Sequence, residues 1–236
     1  MPKILRFHKK HMAYQDQQGT DYMKYDLIAF LVSCLLILTY YLYLGMRTRR
    51  APDSSVHTLN ARVRERWVDM VMNSGRMDIL AIQTLRNSVM AANFMASTSI
   101  LLIIGTLNIS EKIGQWALNW HPNGLAHAFS TELWQLKLCL LLLDFSIAFY
   151  CFSMAIRFYN HVGYMINLPV EPLSPDGGLY KQTCAYLNRA GRYYTFGTRT
   201  FFFSLPIILW FFGPYSLLLA TLTLIGGLAM LDKVPS

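Results

Sequence analysis

Charge is what this chain has least of. Asp, Glu, Lys and Arg make up 14% of its 236 residues, and 54% are hydrophobic. Soluble domains carry about 25% charged residues, so the deficit excludes an ordinary water-soluble domain and points to a membrane protein. Cysteine is scarce as well. Cys34, Cys139, Cys151 and Cys184 show no CxxC spacing, and three of them fall in apolar runs where cysteine acts as a small hydrophobe. Disulfides and zinc are therefore not expected. Also missing are a phosphate-binding Gly-rich loop, GxSxG, HExxH and paired histidines for haem. His121 and His127 stand six apart without nearby cysteines, a poor metal site, and His8, His11, His57 and His161 are scattered. The chain reads as non-enzymatic, with no cofactor and no metal.

What is present is apolar length. Uncharged runs extend from Leu27 to Met46, Asn87 to Ser110 and Thr200 to Leu231, and a fourth run is broken only by Lys137 and Asp144. A spanning helix needs about 20 mostly apolar residues. Lipid offers no partner for bare backbone groups, so such runs must be helical, and they lack the alternation of barrel strands. The expected fold is all-α: a polytopic membrane protein with four transmembrane helices (about 27–46, 87–109, 133–157 and 198–231), an amphipathic cytoplasmic helix and a long, kinked last helix. Residues 1–25 read as a polar N-terminal tail, and 26–236 as a single membrane domain. The first apolar run begins after 26 mostly polar residues without a small-residue cleavage site, so a retained anchor is expected there rather than a signal peptide.

Basic residues set the expected orientation. Eight arginines, from Arg47 to Arg86, separate the first two spans, and Arg157, Lys181, Arg189, Arg192 and Arg199 flank or occupy the 157–199 connection. The loop from Ile109 to Glu132 holds only Lys112. The positive-inside rule then places both basic connections in the cytoplasm of a bacterial inner membrane and both termini on the periplasmic side. Lys3, Arg6, Lys9, Lys10 and Lys24 in the N-terminal tail run against this, partly offset by Asp16, Asp21 and Asp26. Topology accounts for the positive charge, so nucleic acid is not an expected partner.

Ser54-Ser55 can cap a helix that stops near Asn73-Ser74-Gly75. Val56, Leu59, Val63, Trp67, Met70 and Val71 recur on one side of it, and Arg62, Glu65, Arg66 and Asp69 on the other. Such a helix lies on the inner leaflet or against its neighbours. After Gly75 one helix is expected from Met77 to Asn108, with a polar stripe Arg86, Met90, Asn93 and Ser97 turned into the bundle. Pro169, Pro172, Pro175 and Gly177-Gly178 predict an irregular loop, followed by a helix from Leu179 towards Arg199. Tyr193, Tyr194, Phe196 and Phe201 to Phe203 form an aromatic belt.

One residue stands out chemically. Asp144 lies mid-span, where a carboxyl costs about 2.5–3.5 kcal/mol on insertion scales. Counting equal depths along the other spans reaches Thr39, Ser97 to Ser99 and Phe212-Gly213-Pro214. The expected intramembrane polar cluster is therefore Asp144, Ser97, Ser99, Thr39 and Pro214. Because Pro214 has no N–H, the Trp210 carbonyl is expected to lose its helical partner and to accept from a protonated Asp144. Asp144 is read as structural glue or a subunit contact, with proton or ion handling as the alternative. Cys139, Ser146 and Ser153 mark a second close-packed face. Arg86, Asn87, Arg157 and Arg189 are the expected cytoplasmic-boundary residues, able to meet anionic lipid head groups.

From Gln83-Thr84-Leu85-Arg86-Asn87-Ser88, through Met90 and Ala96-Ser97-Thr98, the chain resembles a family of bacterial and plant integral membrane proteins, domain of unknown function 599. Arg66-Trp67, Glu132-Leu133-Trp134 with Lys137, Phe158-Tyr159-Asn160, Leu187-Asn188-Arg189-Ala190-Gly191 and Phe212-Gly213-Pro214 support the likeness from about Tyr25 onward. The resemblance implies a polytopic inner-membrane protein and no assigned activity. The functional expectation is an accessory or scaffold subunit of a larger membrane assembly, partnered by lipid and by other subunits or further copies of itself. A small proton-coupled transporter using Asp144 is the alternative.

Overall fold

Long apolar runs leave the backbone no partner but itself, and the chain forms six helices: α1 (Pro2–Arg50), α2 (Val56–Ser74), α3 (Asp78–Trp120), α4 (Thr131–Met165), α5 (Gly178–Trp210) and α6 (Pro214–Leu231). The computed structural model describes residues 2–50, 56–74, 78–120, 131–168 and 178–233, and no strand occurs among them. Within the polar tail the backbone is helical, and α1 runs unbroken from Pro2 into the first apolar run. The proline-rich loop before α5, His121 and His127 lie outside the described residues. Four helices are long and apolar enough to cross a bilayer: Met23–Arg50, Ile79–Ser110, Leu133–Met165 and Pro214–Leu231.

Three antiparallel helices form the centre. The inner face of α3 repeats every seven residues as Leu85, Ala92, Ser99 and Thr106, all buried, which is the spacing of a packed helical seam. Opposite it, α4 buries Leu141, Ala148, Cys151 and Ala155. Small side chains let the backbones approach, as membrane helices require in the absence of a hydrophobic driving force between them. The same device recurs at Gly197 of α5, where a Cβ would stand 3.0 Å from Cys151 Cβ and 3.1 Å from the Phe152 ring. Ring contacts Phe152–Tyr194, Phe145–Phe201 and Trp134–Phe211 fix α4 and α5 as antiparallel along their length.

The last apolar run departs from the single kinked helix expected of it. Arg199 is ion-paired with Asp232, 33 residues further on, whereas a continuous helix would hold them about 50 Å apart. The chain therefore folds back at Phe211-Phe212-Gly213, and α5 and α6 form a hairpin. Gly213 makes the reversal with φ 128° and ψ 172°, a region open essentially to glycine alone. Pro214 then starts α6 where no N–H is needed. The uncharged-run criterion missed this because the outgoing arm carries Arg189, Arg192 and Arg199. Counted from Gly178, α5 has 33 residues, and Pro206 lies inside it without ending it.

The reversal at Gly213 changes the termini. Ala29 of α1 clusters with Trp210 and Leu217, and Tyr40 donates to Asp232 Oδ2 at 2.5 Å, so α1 and α6 run parallel. Asp26 and Asp232 thus mark opposite ends of the bundle, and the expectation that both termini share one side is corrected. Labels placed before residue 23 and after residue 233 are expected to react from opposite faces of a sealed vesicle. Membrane-impermeant thiol labelling of single-cysteine variants checks this, and equal access from one face would contradict the hairpin.

Candidate functional site

Asp144 sits on the buried face of α4, with Lys137, Leu141 and Ala148, and is 7% exposed. Its Oδ2 is buried without a hydrogen-bond partner. That oxygen is bonded to none of the partners foreseen for it. Thr39 is exposed and its hydroxyl donates to the Leu35 carbonyl. Ser97 is exposed, facing away from the rest of the chain. Ser99 is buried, but its hydroxyl donates to Met95 O at 2.9 Å. Pro214 belongs to the hairpin turn, level with Lys137, and seven residues of helix separate that level from Asp144 by about 10 Å. The hydrogen bond expected to hold the cluster together is therefore absent at Asp144 Oδ2. In the observed register of α4 on α5, Asp144 lies level with Phe203 and Ser204, and Ser204 donates to its own helix at Phe201 O.

The freed Trp210 carbonyl is occupied, though by a different side chain. Lys137 Nζ donates to it at 3.2 Å and to Asp26 Oδ2 at 2.7 Å, and stands 4.7 Å from the centroid of the Trp210 ring. Gly213 N–H also reaches that carbonyl, at 3.1 Å. Phe30 stacks on the Trp210 ring, with centroids 4.9 Å apart and planes within 6°. Lys137 is 3% exposed. Three donor directions of the ammonium thus meet a carboxylate, a carbonyl and a π face, tying α1, α4 and the α5–α6 turn together. The Asp26–Lys137 pair was missed because Asp26 borders its apolar run and reads as part of the tail. A usable signal existed in the spacing: Asp26 and Ser33 are seven apart on α1, as are Lys137 and Asp144 on α4, all four buried.

At the other end of the bundle a second tie closes the hairpin. Asp232 accepts from Tyr40 and from Arg199, joining α1, α5 and the end of α6. On α2, Arg64 Nε donates to Asn188 Oδ1 at 2.9 Å, and Asn188 Nδ2 donates to Glu65 Oε1 at 2.9 Å. Arg64 lies directly on Gly191, where a Cβ would come within 2.8 Å of its Nη1. Of α2's foreseen apolar side, Val71 is buried, while Leu59, Val63 and Met70 are exposed. The buried surface is turned towards Arg64, Val68 and Val71 instead.

The family model for proteins of unknown function, DUF599, matches residues 28–235. The chain belongs to that family. No curated protein and no solved structure matches it. Residues that carry the DUF599 likeness now acquire physical roles: Lys137 and Gly213-Pro214 build the α5–α6 turn, and Asn188 and Gly191 seat Arg64.

The boundary residues are dispersed around the bundle. Arg86, Asn87 and Arg157 are exposed, and Arg189 lies over the Phe158 ring at 5.4 Å from its centroid. The stripe Arg86, Met90, Asn93 and Ser97 is exposed along its whole length, which corrects its expected burial. Leu85, Ala92 and Ser99 take the inward face instead. Cys139 and Ser146 are likewise exposed and Ser153 half-buried, so the second face foreseen on α4 is not packed within this chain. Among the described residues no three His, Cys, Asp or Glu side chains gather as metal ligands.

A buried pair is most sensitive to loss of one partner, at about 3–5 kcal/mol, and least to replacement of both. Lys137→Met is expected to destabilise the bundle by that amount, and Lys137→Met with Asp26→Leu to recover most of it. Unfolding titrations in mixed micelles would measure the cycle. Additive losses would mean that Lys137 and Asp26 act independently.

Proposed function

We propose that this DUF599 protein is a non-enzymatic accessory or scaffold subunit of a bacterial inner-membrane assembly. Its arginine-rich connections face the cytoplasm, which puts the start of the first span outside and the end of α6 inside. The observation that carries the reading is the outward polar stripe of α3. Asn93 lies near the middle of the Ile79–Ser110 segment and is exposed, with Arg86, Met90 and Ser97 along the same side. An amide turned to hydrocarbon is unfavourable, and Asn and Ser are among the residues that join membrane helices by hydrogen bonds. A second helix laid along this stripe, from another subunit or another copy, satisfies the amide. Anionic lipid head groups at Arg86, Arg157 and Arg189 would complete the boundary.

Asn93→Leu with Ser97→Ala is expected to weaken that association by about 1–2 kcal/mol without changing the fold. Mass measurement of the particle purified in mild detergent checks this. An unchanged assembly, or a wild-type protein that is monomeric and unaccompanied, would sink the reading.

One observation favours a second reading, a small proton-coupled carrier. Asp144 is a membrane-depth carboxyl whose Oδ2 has no hydrogen-bond partner, and intramembrane carboxyls mark proton relays. Asp144→Asn is expected to abolish proton-dependent flux in proteoliposomes and to leave the assembly intact, with Asp144→Glu retaining flux. Flux that survives Asp144→Asn, or a wild type that supports none, removes the carrier reading.

A further inference from the structure

The C-terminal part of α1, the first half of α2 and the middle of α5 line a cavity of about 690 Å³, within the range of small-molecule sites. Its lining is unusual for its charge. Arg47, Arg49, Arg64, Arg192 and Arg199 contribute five guanidinium groups, and His57 an imidazole. Asp232 is the one carboxylate on the wall, and it is already engaged by Arg199 and by the Tyr40 hydroxyl. Glu65, the acid nearest to Arg64 in sequence, accepts from Asn188. Four guanidinium charges are thereby left without a carboxylate on the wall.

The arginines are also held, not merely gathered. Arg64 is fixed through Nε by Asn188 and lies flat against the bare backbone of Gly191, where any side chain would displace it. Arg199 is fixed by Asp232 and half-buried. The positive field registers on His57, whose pKa is lowered by burial and by the charges of Arg64, Arg192 and Arg199. Guanidinium is the side chain suited to planar, bidentate recognition of phosphate. Accumulating five of them beside one engaged carboxylate is costly to the fold unless an anion joins them. Leu44, Val56 and Phe196 on the same wall add apolar surface.

We propose that this cavity is a binding site for a phosphate-bearing anion, supplied either by a phospholipid head group or by a soluble phosphate compound. The site is separate from the α3 stripe and from Asp144, and stands whether or not the scaffold reading holds. Its residues are not the boundary arginines Arg86, Arg157 and Arg189.

The test uses the full chain in nanodiscs of phosphatidylcholine, with or without one part in five phosphatidylglycerol, and in detergent with inorganic pyrophosphate. Native mass spectrometry reads retained phospholipid, and calorimetry reads pyrophosphate binding. Retained phosphatidylglycerol identifies a head group, and pyrophosphate binding in detergent identifies a soluble phosphate; either supports the site. Arg47→Gln with Arg192→Gln, which leaves the Arg64 and Arg199 ties in place, is expected to weaken binding about tenfold or more. Arg66→Gln with Lys181→Gln removes the same charge from exposed surface and is expected to change it less than about twofold. As a second probe within the site, Gly191→Ala is expected to reproduce the loss by displacing Arg64, with thermal unfolding recorded alongside. Equal losses in the cavity and surface variants would reduce the effect to general surface charge and overturn the proposal. So would failure to retain or bind either ligand.

Discussion

The fold depends on how one ammonium group is satisfied inside an apolar bundle. Lys137 would be costly to bury alone. With the Asp26 carboxylate at 2.7 Å, the Trp210 carbonyl at 3.2 Å and the Trp210 ring beneath it, it becomes a junction between elements far apart in sequence. The junction sits where α5 must stop and α6 begin. A chain reversal there exposes a carbonyl that Pro214 cannot serve, and the Gly213 N–H and the lysine share it. Reversal, proline and ion pair are therefore one solution to one problem, that of leaving no polar backbone group bare.

A similar economy governs the other end. Asp232 draws α1 and α5 to the end of α6, and Arg64 draws α2 onto α5 at Asn188 and Gly191. Between these two belts of polar contacts the helices meet through alanine, serine, cysteine and glycine. Close approach in the middle and polar ties at both ends give the bundle its register. Asp144 belongs to neither belt. It lies in the small-residue zone with one oxygen unmatched, and this separates it physically from every other buried charge described.

Much of this was legible in the residues. The first three apolar spans, the extent of α2 and the all-helical class followed from uncharged length, capping residues and periodicity. What was not legible has a common cause. Periodicity states which residues share a face, but not which face is turned inward: α3 offers both Leu85-Ala92-Ser99-Thr106 and Arg86-Met90-Asn93-Ser97, and the polar stripe is the outer one. Counting uncharged residues likewise hid the hairpin, because half of its outgoing arm carries arginines that pair or line a cavity. The depth match to Pro214 failed for that reason. It assumed one span where two arms turn at the depth of Lys137.

The parallel pairing of α1 with α6 has a consequence for biogenesis. A polypeptide is made from its N-terminus onward, so α1 enters the membrane first and its principal helical partner last. Neither Lys137 nor the turn at Trp210 exists when Asp26 arrives, and the carboxylate must wait near the interface until they do. Among these six helices α1 is thus inserted before its partners and locked after them, and formation of the α5–α6 hairpin is the step that locks it.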